Sequence, residues 1–327
     1  MKDVGLVGLP YSGKSTLFTA LTRTGGVGGR SNQAVVPVPD PRLQVLAELE
    51  RSAKVVPAQV RFVDVPGGAT AQGIAALRET DALAIVLRAF GSDPDPAKDL
   101  AEVEADLLVT DLAALEGGLE RAEKKARGPD AAAKQEVGIL RAAVEALNAE
   151  TPLRDAGLSL EDAKILRGYA PLTLKPRIPV ANLEEGSAVP DGLPAETVGV
   201  YASIEAEVAE MDPDEGSALL AEFGVTKPGL PAVIEASYGV LDLITFLTTG
   251  EDETRAWEVR RGALAPEAAG AIHTDLERGF IRAEVVAYDD LVAAGSWDAA
   301  KAAGKLRVEG KDYPVREGDV LHVRFAV

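Results

Sequence analysis

Apolar residues recur along this chain in two distinct rhythms, and the boundaries between the rhythms outline its organisation. Val4 to Val7 is a short apolar segment that runs into a glycine-bearing turn and then a helical pattern from Ser15 to Thr22, which predicts strand, loop and helix. Residues 60–65 alternate as a strand does and stop at Pro66-Gly67. Ala82 to Arg88 is almost continuously apolar, the pattern of a strand buried on both faces of a parallel sheet. Pro179 to Ala181 and Thr197 to Tyr201 read as further strands. Strands alternating with helices predict an α/β doubly wound sheet.

Residues 94–168 break that rhythm. Leu108, Leu112, Leu115, Leu119 and Ala122 are spaced 4, 3, 4, 3, and beyond Gly128-Pro129 the residues Val137, Leu140, Val144 and Leu147 are spaced 3, 4, 3. Two such seams joined by a Gly-Pro turn predict an antiparallel coiled-coil hairpin inserted into the α/β domain. From about Tyr238 short strands take over, at Leu241–Thr248, Arg255–Arg260, Phe280–Val286 and Val320–Val327, with a short helix over 297–303. In the last strand Leu321, Val323, Phe325 and Val327 share one face, and Val320, His322 and Arg324 the other. The expected domains are therefore 1–93 with 169–237, the insertion 94–168, and an α+β domain over 238–327.

Composition narrows the chemistry. The 327 residues carry 34 Lys plus Arg and 52 Asp plus Glu, a net charge of −18, which opposes nonspecific attraction to DNA or anionic lipid. There is no cysteine, so disulfides and thiolate chemistry are excluded, and only His273 and His322 are available as imidazoles. No apolar run approaches the roughly 20 residues that span a bilayer. The start lacks the layout of a signal peptide, and a cytoplasmic location is expected.

Gly8-Leu9-Pro10-Tyr11-Ser12-Gly13-Lys14-Ser15 matches G-x-x-x-x-G-K-S in the strand–loop–helix setting that this motif needs. Backbone N–H groups of such a loop, with a helix N-terminus behind them, wrap a β-phosphate. Gly8 and Gly13 allow close approach, Pro10, Tyr11, Ser12 and Thr16 complete the phosphate contacts, Lys14 reaches the β- and γ-phosphates, and Ser15 is a Mg²⁺ ligand. Asp64-Val65-Pro66-Gly67 supplies the partner motif: Asp64 holds Mg²⁺ through water, and the Gly67 N–H meets the γ-phosphate.

The base contact departs from the guanine pattern N-K-x-D. None of the three asparagines, Asn32, Asn148 and Asn182, has Asp three residues later. Asn182 stands at the right place but reads Asn182-Leu183-Glu184-Glu185, so Leu183 offers apolar surface to a base and Glu185 sets its carboxylate differently. Backbone groups near Ala202-Ser203 are the other candidate base readers. Binding of ATP at least as well as GTP is expected.

Gly-Leu-Pro-x-x-Gly-Lys-Ser-Thr-Leu-Phe at 8–18, Val-Pro-Val-Pro-Asp-Pro-Arg-Leu at 36–43, Asn-Leu-Glu-Glu at 182–185, the stretch 268–284 and Glu-Gly-Lys-Asp-Tyr-x-Val at 309–315 together resemble the YchF (Obg-like ATPase) family, over essentially the whole chain. The resemblance implies a P-loop domain interrupted by a coiled-coil hairpin, a C-terminal TGS domain of β-grasp fold, Mg²⁺-dependent ATP binding and hydrolysis, and association with ribosomes or translation factors. It also exposes departures. The segment between Leu21 and Val35 is shorter than the family's and lacks its Thr-bearing first switch, which neither Thr24 nor Ser31 obviously replaces. The second switch, Gly68 to Leu77, is shortened too. No histidine precedes residue 273, Gly68 stands where Ras-like enzymes carry a water-orienting Gln, and Gln72 is the one nearby substitute.

Two functions follow from these residues. One is a slow ATPase whose nucleotide state sets its affinity for ribosomes; the other is a non-enzymatic nucleotide-binding protein that contacts ribosome or RNA through the hairpin and TGS domain. Arg278, Arg282, Lys301, Lys305, Arg307 and Lys311 are dense for this acidic chain and offer a local basic face for RNA. His273 is expected to serve a local hydrogen bond and not hydrolysis. Neither reading involves a membrane or sequence-specific DNA.

Overall fold

A computed structural model describes residues 2–23, 27–29, 33–65, 71–128 and 130–326. Its strands are β1 (Lys2–Val7), β2 (Val27–Gly29), β3 (Gln33–Pro37), β4 (Val55–Val56), β5 (Gln59–Asp64), β6 (Ala82–Ala89), β7 (Arg177–Leu183), β8 (Val198–Val200), β9 (Leu243–Thr248), β10 (Thr254–Arg260), β11 (Phe280–Ala287), β12 (Arg307–Glu309) and β13 (Asp319–Phe325). The helices used below are α1 (Lys14–Arg23), α2 (Pro41–Glu50), α3 (Ala71–Arg78), α4 (Pro96–Lys125), α5 (Ala131–Asn148), α6 (Leu160–Leu166) and α7 (Ala202–Val208). By packing, the chain divides into two units: Lys2–Val36 with Arg61–Ser237, and Pro37–Val60 with Tyr238–Val327.

The first unit is built on a seven-stranded sheet in the order β2-β3-β5-β1-β6-β7-β8. The run β1-β6-β7-β8 is parallel, with Leu6 beside Ala84 and Ala84 beside Ile178, while β2 and β3 form an antiparallel edge. Residues Ala82 to Leu87 of β6 are all buried, as a strand sandwiched between helical layers must be. Leu6, Leu17, Leu21, Phe62, Leu83, Ile85 and Leu87 are fully buried and form the heart of the unit.

The hairpin leaves this sheet after β6 and returns before β7. Helix α4 runs for 30 residues and α5 for 18. Both start on an Asp cap followed by good helix formers: Asp95 accepts from the Lys98 N–H, and Asp130 from the Ala132 and Ala133 N–H groups. Leu115, Ala122, Leu140 and Leu147 are buried between the helices, with Leu108, Leu112, Leu119, Val137 and Val144 packed against them, which is the seam the spacing predicts.

The second unit holds a six-stranded sheet, β12-β11-β13-β9-β10-β4. Strands β9 and β10 form a hairpin, β11 pairs antiparallel with both β12 and β13, and β13 lies parallel to β9, the β-grasp arrangement. Phe246, Ala268, Ala269, Ala283, Val285 and Leu321 are in its core. In β13, Val320 is buried like Leu321 because the strand is central, while Phe325 at its end is exposed; the simple two-face alternation gives way there.

Sequence pattern alone keeps residues 1–93 in one domain, but Pro37–Val60 packs with the C-terminal residues. Three contacts show why: β4 adds in parallel to the edge of β10, with Val55 beside Thr254; the Ser52 hydroxyl donates to the Gly250 carbonyl at 2.7 Å; and Arg42 reaches Glu317 at 2.7 Å. Asp40 caps α2 through the Arg42 N–H and also grips the Arg42 guanidinium at 2.8 and 2.7 Å.

Candidate nucleotide-binding site

Strand β1 delivers the loop Gly8–Ser15 at its C-terminal end, and Lys14 begins α1. The Leu17 N–H donates to the Gly13 carbonyl at 2.9 Å, closing the first helical turn directly behind the loop. Gly13 has φ +84°, and a Cβ there would lie 2.0 Å from Asn182 Nδ2; at Gly8 it would lie 2.5 Å from the Val86 carbonyl. Both positions therefore exclude a side chain by contact, and Gly13 does so by conformation as well. Ser12 is buried, with its hydroxyl lacking a hydrogen-bond partner, whereas Tyr11 holds φ +66° and leaves its ring 90% exposed. Pro10 and Ser15 are exposed, and Lys14 and Thr16 are half-buried.

Asp64 ends β5 close to this loop. Burial pushes its carboxyl up, opposed by the Lys14 ammonium and the Ser15 hydroxyl. Its Oδ1 is buried without a hydrogen-bond partner. A buried oxygen in that state beside an ammonium and a hydroxyl suits a water-bridged cation, so the residues present fit the Mg²⁺ that a triphosphate brings. Gly67 and Gly68 lie outside the described residues, as do Thr24, Ser31 and the Gln72 side chain.

On the opposite side of the loop, Asn182 is buried and bridges two segments. Its Nδ2 donates to the Ser12 carbonyl at 3.3 Å, and its Oδ1 accepts from the Ala202 N–H at 3.2 Å. Asn182 thus fixes the phosphate loop to the turn that starts α7. Leu183 is buried in a small cluster with Ala89 and Ala181, while Glu185 and Ser203 are exposed. Sequence reading missed Glu205, which is 2% exposed and accepts from the Tyr201, Gly229 and Leu230 N–H groups at 2.9, 2.8 and 2.7 Å. Burial pushes its carboxyl up and the three N–H bonds oppose this. It locks the same turn from below. A Glu in the first turn of a helix reads as ordinary capping, so only the fold reveals it.

Within the second unit, the His273 Nδ1 accepts from the Asp275 N–H at 3.1 Å and caps a short helix at Thr274–Arg278, the local role expected for it. Of the six basic candidates, Arg307 is tied to Asp319 and Glu309, Lys305 to Asp290 and Arg278 to Asp275. Arg282, Lys301 and Lys311 are exposed.

Residues 3–125 match the family described as 50S ribosome-binding GTPase, and residues 243–326 match the YchF-GTPase C-terminal family, described as a protein of unknown function (DUF933). The Ribosome-binding ATPase YchF of Haemophilus influenzae is 40% identical over 360 aligned positions, covering 99% of both chains. The chain belongs to the YchF family. The Bacillus subtilis YchF is also 40% identical, over 361 positions and 99% of both chains. The solved YchF GTPase of Schizosaccharomyces pombe superposes with a TM-score of 0.89 at 30% identity, covering 99% of this chain and 97% of that one. The alignments with the two bacterial sequences hold more positions than this chain has residues, so those YchF relatives carry segments that it lacks. Among its described residues no helix is long and apolar enough to cross a membrane.

Proposed function

We propose that this YchF-family chain binds ATP in preference to GTP, hydrolyses it slowly with Mg²⁺, and uses the bound state to set its association with ribosomes. The observation that carries this reading is the loop Gly8–Ser15, seated between β1 and α1 with Asn182 packed on Gly13 and Asp64 facing Lys14 and Ser15. In this reading the loop N–H groups and Lys14 hold the phosphates, and Gly67 adds a γ-phosphate contact. Ser15 and Asp64 hold Mg²⁺, which neutralises phosphate charge when bound. Asn182 positions the loop and the Ala202-Ser203 turn around the base, beside Leu183 and Glu185. The names of the relatives support ATP hydrolysis and ribosome binding, and the hairpin and the β-grasp unit supply the surfaces for the latter.

Lys14→Ala tests the site. Removing one charge-assisted contact of about 1.5–3 kcal/mol lowers ATP affinity roughly ten- to a hundredfold, read by competition against a fluorescent nucleotide. An unchanged affinity would remove the basis of the assignment. The same competition run with GTP tests the base: with no N-x-x-D in the chain, GTP displaces the probe no better than ATP.

A further inference from the structure

Beside the phosphate loop, walled by α3 and the first half of α4, lies a cavity of about 480 Å³, a size that takes a small organic ligand. Its floor is apolar, with Leu9 and Ile74 facing Val103 and Leu107. Its polar groups are divided by sign. Lys14 of the phosphate loop stands in one wall, and Glu102, Asp106 and Thr110 stand in another, at successive i, i+4 positions on one face of α4. Glu102 and Asp106 are exposed, and their side chains enter no hydrogen bond or ion pair among the described residues.

Two unpaired carboxylates above an apolar floor select a ligand with two cationic ends and a hydrocarbon middle. Side chains at i and i+4 start about 5–6 Å apart. An aliphatic diamine with a four-carbon spacer matches that separation, and its methylenes lie along apolar surface as a lysine stem does. We propose that this cavity binds an aliphatic diamine or polyamine, with ammonium groups on Glu102 and Asp106 and methylenes against Val103, Leu107 and Leu9.

Lys14 makes this site sensitive to nucleotide, a consequence that rests on the function proposed above. With the loop empty, its ammonium repels a cation in the same cavity. With phosphates in the loop, Lys14 is paired and the surplus charge beside the cavity is negative. The amine therefore binds more tightly to the nucleotide-loaded chain, and by linkage it raises the nucleotide's equilibrium affinity by the same factor.

Equilibrium dialysis of the full chain against radiolabelled 1,4-diaminobutane tests this, with and without a nonhydrolysable ATP analogue. A protein-free chamber corrects for pairing between amine and free nucleotide. The expected result is one saturable site, weakened about five- to thirtyfold in the Glu102→Gln, Asp106→Asn double variant and about two- to fivefold for n-butylamine in place of the diamine. The analogue tightens it severalfold. Absence of saturable uptake in the millimolar range, equal uptake by the double variant, or equal binding of butylamine would overturn the site. Failure of the nucleotide reading looks different: the diamine still saturates one site, but the analogue changes nothing and Lys14→Ala leaves nucleotide affinity unchanged.

Discussion

Lys175 commits a half-buried ammonium to two backbone carbonyls, donating to Arg78 at the end of α3 at 2.8 Å and also to Thr80. Burial pulls its pKa down to about 8, with Asp81, Glu79 and Asp111 resisting the fall and Arg78 adding to it. The sign of the consequence follows from proton counting. Below pH 8 both folded and unfolded chains hold the proton, and the cost of burying it is constant. Between pH 8 and the ordinary lysine value of 10.5 the unfolded chain holds more protons, so this group's contribution to stability rises with pH. Lys175→Gln removes the titration and keeps a donor. The stability difference, wild type minus variant, should grow by about 1–2 kcal/mol between pH 8 and pH 10.5, discounted for partial solvent screening. Chemical denaturation across that range measures it, and a flat difference would mean the amine is solvated in the folded state. At this scale the sequence was informative where a motif fixes chemistry, as at Gly8, Gly13 and Lys14. It was silent on Lys175 and Glu205, because a lone charge in an acidic chain reads as surface until the backbone groups it serves are brought to it.

Among the elements, α4 is the one that ties the sheet to the hairpin, and Asp111 near its midpoint is what fastens it. Asp111 is fully buried and accepts from the Leu172 N–H at 2.9 Å, the Thr173 N–H at 2.7 Å and the Thr173 hydroxyl at 2.8 Å, on the segment that leads into β7. Burial pushes this carboxyl up, and the three donors and Arg78 pull it back. Asp111→Ala would orphan two buried N–H groups and a hydroxyl, at a cost of about 3–5 kcal/mol. Asp111→Asn should rescue little, since both carboxylate oxygens accept and an amide NH₂ would face a donor. Thr173→Val, which removes only the hydroxyl bond, should cost about 1 kcal/mol. Urea unfolding of the three variants orders them; equal losses for Ala and Val would show that the backbone bonds carry nothing. The hairpin itself was legible because its Leu and Val seam repeats, whereas Asp111 sits within that repeat as an apparent solvent residue. The placement of Pro37–Val60 was equally hidden: a two-residue strand has no periodicity, and the Arg42–Glu317 pair joins positions far apart in sequence.

Seen whole, the chain is a strongly acidic molecule with a net charge of −18, which opposes long-range attraction to RNA, so a ribosome contact would be made through a local surface. Its nucleotide site shows the same economy. The sequence motif for a phosphate cradle is complete from Gly8 to Ser15, but phosphoryl transfer also requires that water be aimed and developing charge be neutralised, and a supplied positioning residue or arginine finger is worth about 10³–10⁵ in rate. Gly68 follows the D-x-x-G, no histidine precedes His273, and the relatives' alignments are longer than this chain. Retained binding without an evident water-positioning group predicts intrinsic turnover well below the ordinary enzymatic range of about 1–10³ per second. It follows that acceleration comes from outside the chain, from a ribosomal partner or a monovalent cation beside the phosphates. Phosphate release by the purified full chain with Mg²⁺, measured with and without K⁺ and ribosomes, separates the cases: slow release alone and faster release with one of these additions is expected. Fast release by the chain alone, abolished by Lys14→Ala, would instead mean that the shortened second switch, Gly68 to Leu77, carries the catalytic group itself, and Gln72→Ala would be the first variant in which to look for its loss.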